Sequence, residues 1–457
     1  YLGKAESLSH LLRYEEAVLV YNNILAYSVN KTFPAGFTDK VHYNLGHVYL
    51  KMGNFTQAIL EFDKAAEQSI EPAIKISAIC QIGDIYQDLG EFNKAIDNYE
   101  KILKDFSDNA YKDYAQYQLS LCLIKMGRFD EAISTLKKIE TDFAESKIKD
   151  EIGYYIAAAY FQKQDFVSAT EELNRFISLF GESPLRREGI YLKGASLFNL
   201  KRYQEAEDMF KQAIKEYGQD ANFVAKCEFE IAHCLYQNKE KDAAIKKCQE
   251  IISRYPNSAI APDVIYFLGE HYLNIAKEEL AVRYFRRLIS DYRESNLLHS
   301  TYYSLGLVYL GQDKYDEALT QFNNILNSPN NEFKALAVLA IGDVYFKKGD
   351  SESALRQYRQ ALNKASQDKA AEIQFKIAQT LEEEGRVDEA VEEYFKNSYL
   401  YPQDKYWLLK SYLRLGKIFE ARENWVEAEK IYSKVADMEV EEAKFARERL
   451  EWISKRR

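Results

Sequence analysis

Apolar residues recur at spacings of three and four along almost the whole chain, the period of helices that bury one face. A longer period overlies it. A small residue is followed twelve positions later by alanine at Ala5/Ala17, Gly46/Ala58, Gly83/Ala95, Ser120/Ala132, Ala157/Ala169 and Gly194/Ala206. The same pairing continues at Ala232/Ala244, Gly269/Ala281, Gly306/Ala318, Gly342/Ala354, Ala378/Ala390 and Gly416/Ala428. Successive anchors are 36 to 38 residues apart, except for a first interval of 41 that carries the insert AYSVNKTFPAGF at 26–37. Such regularity predicts twelve copies of one unit, each a pair of antiparallel helices that cross where the small residues lie.

The rest of each unit fits that picture. Three residues after the anchor stands a large apolar side chain, such as Tyr49, Tyr86 or Tyr309. Four after the second-helix alanine stands another, such as Phe62, Tyr99 or Phe322, with Cys248 in that slot in its unit. Gly53, Gly90, Gly127, Gly349 and Gly385 lie seven after an anchor, where the first helix should close on a left-handed residue. Two positions further on, Phe55, Phe92, Phe129, Phe166, Tyr203, Tyr315 and Trp425 would cap the apolar seam. The units anchored at Ala232 and Gly269 lack both features, with Lys239 and Lys241 in one and Ala276 and Glu278 in the other, which predicts a softer joint at 237–280.

Composition changes this picture little. The 19 glycines and 7 prolines in 457 residues suit helices, and the prolines are expected where the helical pattern lapses. Hydrophobic content of 47% is enough for a continuous core. The net charge of −10, from 61 basic and 71 acidic residues interspersed, leaves no basic stripe, so nucleic acid is not expected as a ligand. Five scattered cysteines make no disulfide framework or Cys-x-x-Cys pair and read as small buried hydrophobes. No apolar run reaches the ~18 residues a membrane span requires. The chain opens at Tyr1 within a repeat, without an initiator methionine, which points to a natural N-terminus further upstream.

The small–large–small–aromatic spacing resembles the tetratricopeptide repeat and covers essentially all of the chain, in units longer than the family's 34 residues. The resemblance implies an all-α, right-handed superhelical solenoid of about twelve helix-turn-helix units over 1–438, with first helices lining the concave side. The last segment, 439–457, reads as a capping helix with Ala443, Ala446, Leu450 and Ile453 facing the stack. Unit endings such as YPNSAIAPDVIYFLGEHY (255–272) and YRESNLLHSTYYSLGLVY (292–309) resemble a bacterial cell-envelope branch. That branch includes the TolA-binding periplasmic protein and the lipoproteins of outer-membrane β-barrel assembly, and it implies a periplasmic or envelope location.

In the family's geometry two positions of the first helix point into the groove. Three before the anchor stand Tyr117, Tyr154, Tyr191, Phe229, Tyr266 and Tyr303; four after it stand Phe161, Phe198 and Tyr236. These predict an aromatic trough for a peptide or helix with apolar anchors. The residue directly after the anchor varies among His47, Asp84, His233, Glu270, Asp343, Gln379 and Lys417, the variation that partner specificity would use. Lys410, Arg414 and Lys417 make a basic face on the last unit, with Lys376 one unit earlier; this is half of the family's carboxylate clamp and leaves room for an acidic partner segment. No His-Glu-x-x-His motif, phosphate-binding glycine loop or nucleophile elbow occurs, so no catalytic, cofactor or metal residues are expected. The sequence therefore reads as a non-catalytic scaffold for protein partners; the rival is a structural protein that docks on its own copies into oligomers or filaments.

Overall fold

The computed structural model describes residues 1–29, 33–34, 36–106, 111–143, 145–329 and 332–456. The insert at 26–37 lies partly outside them. Among the described residues there are twenty-five α-helices and no strand. The chain divides into two compact units, Tyr1–Lys247 and Cys248–Arg457, a division that falls within the 237–280 stretch.

The first unit holds α1 (Leu2–His10), α2 (Tyr14–Ser28), α3 (Phe37–Lys51), α4 (Phe55–Gln68), α5 (Pro72–Asp88), α6 (Phe92–Asp105) and α7 (Lys112–Lys125). It continues with α8 (Phe129–Asp142), α9 (Lys149–Gln162), α10 (Phe166–Leu179), α11 (Arg186–Asn199), α12 (Tyr203–Glu216), α13 (Ala221–Gln237) and the start of α14 (Lys241–Arg254). The second unit takes the end of α14, then α15 (Ala261–Asn274), α16 (Glu278–Asp291), α17 (Leu298–Gly311), α18 (Tyr315–Asn327), α19 (Lys334–Lys348) and α20 (Ser351–Leu362). It closes with α21 (Gln367–Glu383), α22 (Val387–Leu400), α23 (Lys405–Ala421), α24 (Trp425–Ala436) and α25 (Ala443–Ser454). Odd-numbered helices up to α23 carry the anchors, and even-numbered ones carry the alanines twelve residues on. α25 packs on α24, burying Ala443, Ala446 and Ile453 and setting Trp452 5.7 Å from Trp425.

Each anchor is small because a large side chain of its partner helix lies against it. A Cβ added at Gly46, Gly194 or Gly306 would stand 2.8, 2.7 or 2.5 Å from a ring carbon of Phe62, Phe210 or Phe322. Gly83, Gly342 and Gly416 face Tyr99, Tyr358 and Tyr432 in the same way, and Gly269 faces Phe285. All seven glycine anchors thus pair with an aromatic knob sixteen residues on. Where the anchor is Ser120 or Ala157, the knob shrinks to Leu136 or Leu173. At these crossings the larger anchor meets the smaller knob, as close packing favours.

Successive first helices also touch one another, α3 with α5, α5 with α7, α7 with α9 and α9 with α11 in the first unit, and α17 with α19 and α21 with α23 in the second. No two second helices approach as closely among the described residues. Within each unit the first helices therefore line the tighter, inner side of the stack.

The hairpin turns are more uniform than the glycines suggest. At every one of the twelve, the N–H eight after the anchor bonds the carbonyl three after it, as Asn54 does to Tyr49, Glu240 to Leu235 and Lys277 to Tyr272, each within 2.8–2.9 Å. That bond requires a left-handed residue between them. The five expected glycines have φ of 72–82°, but Leu12, Gln164, Lys201, Lys239, Ala276, Asp313 and Glu423 take φ of 55–70° without being glycine. Lys239 and Ala276 thus keep the common turn in the two units that lack both the glycine and the aromatic. The left-handed conformation costs an L-residue about 1–2 kcal/mol, part of which glycine returns through its freer unfolded chain. We expect Lys239→Gly and Ala276→Gly each to raise stability by about 0.5–1 kcal/mol, read as a higher urea midpoint; an unchanged or lower midpoint would show that these turns carry no strain.

Two of the prolines differ from expectation. Pro72 and Pro262 begin α5 and α15, where the first-turn N–H has no helical partner to lose. Between units, four loops share one device. The N–H groups of Ser146, Ser183, Ser258 and Ser295 bond the carbonyls of Phe143, Phe180, Tyr255 and Tyr292 three residues before them. The hydroxyls of Ser146, Ser183 and Ser295 accept the N–H groups of Ile148, Leu185 and Leu297 at the start of the next first helix. The five cysteines are all buried and unbridged. Burial pushes the thiols of Cys80, Cys227 and Cys234 up to about 12 and that of Cys122 to about 11, so they stay protonated packing groups. No helix among the described residues is long and apolar enough to cross a membrane.

Candidate functional site

The aromatic residue three before the anchor sits one helical turn from the crossing, so its ring reaches the second helix of its own hairpin. In the first unit Tyr191 lies 5.5 Å from its knob Phe210, while Tyr154, whose knob is the smaller Leu173, reaches Phe176 three residues further along α10 at 5.9 Å. In the second unit Tyr266 lies 5.9 Å from Phe285, and Tyr303 lies 6.0 Å from Phe322. These rings also meet the following hairpin. Tyr117 stands 5.8 Å from Tyr155, Tyr191 6.4 Å from Phe223, and Tyr303 6.1 Å from Phe333. Tyr191 is held further: its hydroxyl donates to Glu230 Oε1 at 2.6 Å, and Lys226 Nζ lies 3.9 Å above its ring. Within each unit the row expected as a trough is therefore also a seam between neighbouring hairpins. Its members stay half-buried, with one edge on the inner face.

Phe229 differs. It is only 6% exposed and packs on His233 at 4.2 Å, so it belongs to the wall rather than to the open face. Burial lowers the His233 pKa, with Glu230 opposing, and the imidazole is neutral at pH 7. Four positions past the anchor, Phe161 rests on Phe166 and Phe198 on Tyr203, each at 5.4 Å, while Lys241 Nζ lies 5.2 Å above the Tyr236 ring. Between the two aromatic rows of the first unit stand the small, uncharged side chains of Ala158 and Ala195, which the sequence reading did not single out.

The residue after the anchor has structural work at some positions. The phenols of Tyr99 and Tyr358 donate to Asp84 at 2.7 Å and Asp343 at 2.6 Å, and that of Tyr394 donates to Glu382 at 2.7 Å. Tyr114 adds a second phenol to Asp84, at 2.9 Å. Burial holds the Asp84 carboxyl above its usual range in spite of both bonds. Tyr21 and Tyr432 have a carboxylate in the same place without a hydrogen bond to it, their phenols pushed up by burial and then by the charges of Glu6 and Glu420 respectively. Every tyrosine knob thus has a carboxylate one or four positions after its anchor. Asp84 and Asp343, expected as specificity residues, serve this pairing instead.

Glu270 breaks the rule. It follows Gly269, yet its knob is Phe285, which has no hydroxyl to offer. The carboxylate instead accepts from Ser304 Oγ at 2.9 Å on the neighbouring first helix, α17. The basic face of the last unit is partly engaged. Arg414 lies 3.6 Å from Glu382, and Lys410 Nζ lies 4.4 Å above Tyr406 and 4.8 Å above Trp407. Lys376 bonds Asp343 at 2.6 Å, while Lys417 is exposed. No group of three His, Cys, Asp or Glu side chains among the described residues could hold a metal ion.

Comparison with known families falls on the same repeats. A tetratricopeptide repeat-like domain profile matches residues 232–383. Over that stretch the chain is similar to tetratricopeptide repeats, and its hairpins form an all-α helical repeat. Within its repeat array, the profile of an outer membrane lipoprotein family, YfiO, matches residues 117–292, and that of the 26S proteasome subunit RPN7 matches 38–161. Two solved structures are also similar to the chain. The C-terminal part of a TPR repeat-containing protein from Cytophaga hutchinsonii is 16% identical over 58% of this chain and 99% of its own, with a TM-score of 0.45. A tetratricopeptide repeat protein from Parabacteroides merdae is 13% identical over 67% of this chain and 98% of its own, with a TM-score of 0.42. No curated protein matches the chain.

Proposed function

We propose that this chain is a non-catalytic scaffold that holds segments of partner proteins against the inner face of its first helices, within a bacterial envelope complex. The observation that supports the first part is the pattern of that face. Half-buried rings stand at Tyr117, Tyr154, Tyr191, Tyr266 and Tyr303, and the positions beside them change from Ala158 and Ala195 in the first unit to Glu270 and Leu307 in the second. Rigid rings with changing gaps give contact area and selectivity at low conformational cost. The envelope placement is supported by the outer membrane lipoprotein profile over 117–292, which takes in the aromatic-x-x-Ser loops at 143–146, 180–183 and 255–258 and reaches the first residue of the loop at 292–295.

Site-specific photocrosslinking tests both parts. A benzoylphenylalanine at Ala195 or Leu307 should yield discrete products with another protein, whereas one at Asp208 or Thr320, exposed on α12 and α18, should yield none. Equal labelling from both faces would overturn the inner-face reading, and products made only of this chain would favour self-assembly. Fractionation of the same cells should place the product with the envelope; a cytosolic product would remove that placement and leave the scaffold.

A further inference from the structure

We propose that Glu270, Ser304 and Leu307 form a receptor for a cationic side chain, a lysine or arginine of a partner segment, with an aliphatic residue beside it. The inference rests on the scaffold reading and names the chemistry of one of its contacts. It starts from the broken pairing rule. The carboxylates one or four positions after the other anchors of the second unit already have partners. Asp343 has Tyr358 and Lys376, Glu382 has Tyr394 and Arg414, and Glu420 has Arg449 at 2.8 Å. Glu270 alone in this group combines a phenylalanine knob with no Lys or Arg within ion-pair distance among the described residues.

The surroundings specify what could join it. An ionised carboxylate offers about four acceptor sites; Ser304 fills one, and the Tyr266 hydroxyl also approaches it, which leaves room for a further donor. Tyr266, one turn before Glu270 on α15, lies with its hydroxyl 3.5 Å from Ser304 Oγ and fixes that serine between the two helices. Leu307, one turn beyond Ser304 on the same face of α17, is 40% exposed and presents an aliphatic surface one turn from the Ser304–Glu270 bond. One carboxylate and a hydroxyl are too few oxygen ligands for a calcium or magnesium ion. They suit an ammonium or guanidinium group, which makes charge-assisted hydrogen bonds to the carboxylate while its stem lies on Leu307.

The test uses the full chain with leucine methyls labelled for NMR and two small probes, Nα-acetyl-arginine amide and its neutral isostere Nα-acetyl-citrulline amide. The arginine probe should shift the Leu307 methyl signals saturably, and the citrulline probe should bind about tenfold more weakly. Glu270→Gln should remove that preference while leaving the thermal unfolding of the chain unchanged, because the amide still accepts from Ser304. Phe285→Tyr, which supplies a phenol to Glu270, should weaken the arginine probe as well. Equal shifts from both probes, or a preference that survives Glu270→Gln, would overturn the receptor. Crosslinks from Leu307 to a partner without any arginine preference would remove this inference and leave the scaffold intact; an arginine preference without crosslinked partners would do the reverse.

Discussion

Gly306→Ala should destabilise the α17–α18 hairpin by about 2 kcal/mol, and adding Phe322→Leu should recover most of that loss. The Phe322 ring occupies the space where the new methyl would go, 2.5 Å from its nearest carbon, and the ring is fully buried with no room to retreat. Overpacking of this kind forces either an unfavourable rotamer or a parting of the two helices. Phe322→Leu alone leaves a cavity above the glycine and should also cost about 1–2 kcal/mol. Combined, the two substitutions recreate the Ala157–Leu173 pairing that the chain already uses. The double variant should therefore be more stable than either single one. Because each hairpin of a repeat array leans only on its neighbours, the loss is local and is best read by hydrogen exchange in α17 and α18. Additive losses in the double variant would show that the anchor and knob are not a volume-matched pair. Ala378 beside Tyr394 shows that an alanine and an aromatic can share a crossing when the hairpin is built for them; at Gly306 the hairpin has closed on glycine.

The crossing was legible in the sequence because it depends on side-chain volume at fixed offsets, and Gly, Ala and Phe state their volume directly. The turns were half legible. Glycine announces a left-handed residue, but the bond between the carbonyl three after the anchor and the N–H eight after it imposes the same conformation on Lys239 or Ala276, which announce nothing. The inner face was legible as a row of rings and not as a surface. Periodicity places Tyr191 and Phe229 on the same stripe of successive helices, but it does not reveal that Tyr191 keeps an open edge while Phe229 is covered by His233. The carboxylates show the same limit. Asp84 and Glu270 occupy equivalent positions and read alike as candidate contacts; the difference lies sixteen residues past the anchor, in whether the knob is Tyr99 or Phe285. Ser304 and Leu307 carried no signal of their own, because their importance comes from facing Glu270 across two helices.

That dependence on the knob yields a prediction in which one chemical change has opposite signs at two equivalent positions. Phe322→Tyr should destabilise by about 1–3 kcal/mol, because its unit carries Leu307 and Leu310 where a carboxylate would have to stand, and the added hydroxyl would be buried without an acceptor. Phe285→Tyr should be neutral or stabilising by up to about 1 kcal/mol, because Glu270 already stands one residue after the anchor, as Glu6, Asp84 and Asp343 do opposite Tyr21, Tyr99 and Tyr358. Hydrogen exchange or chemical denaturation of the two variants in parallel reads the difference. In the Phe285→Tyr protein the new phenol should titrate above its ordinary range, raised by burial and the adjacent carboxylate, as burial and Asp84 raise that of Tyr99. Equal losses at both positions would mean that the tyrosine–carboxylate pairing is incidental. A loss confined to Phe322→Tyr would establish it as the rule that fixes which inner-face carboxylates hold the hairpins together, and Glu270 as the one left over for a partner.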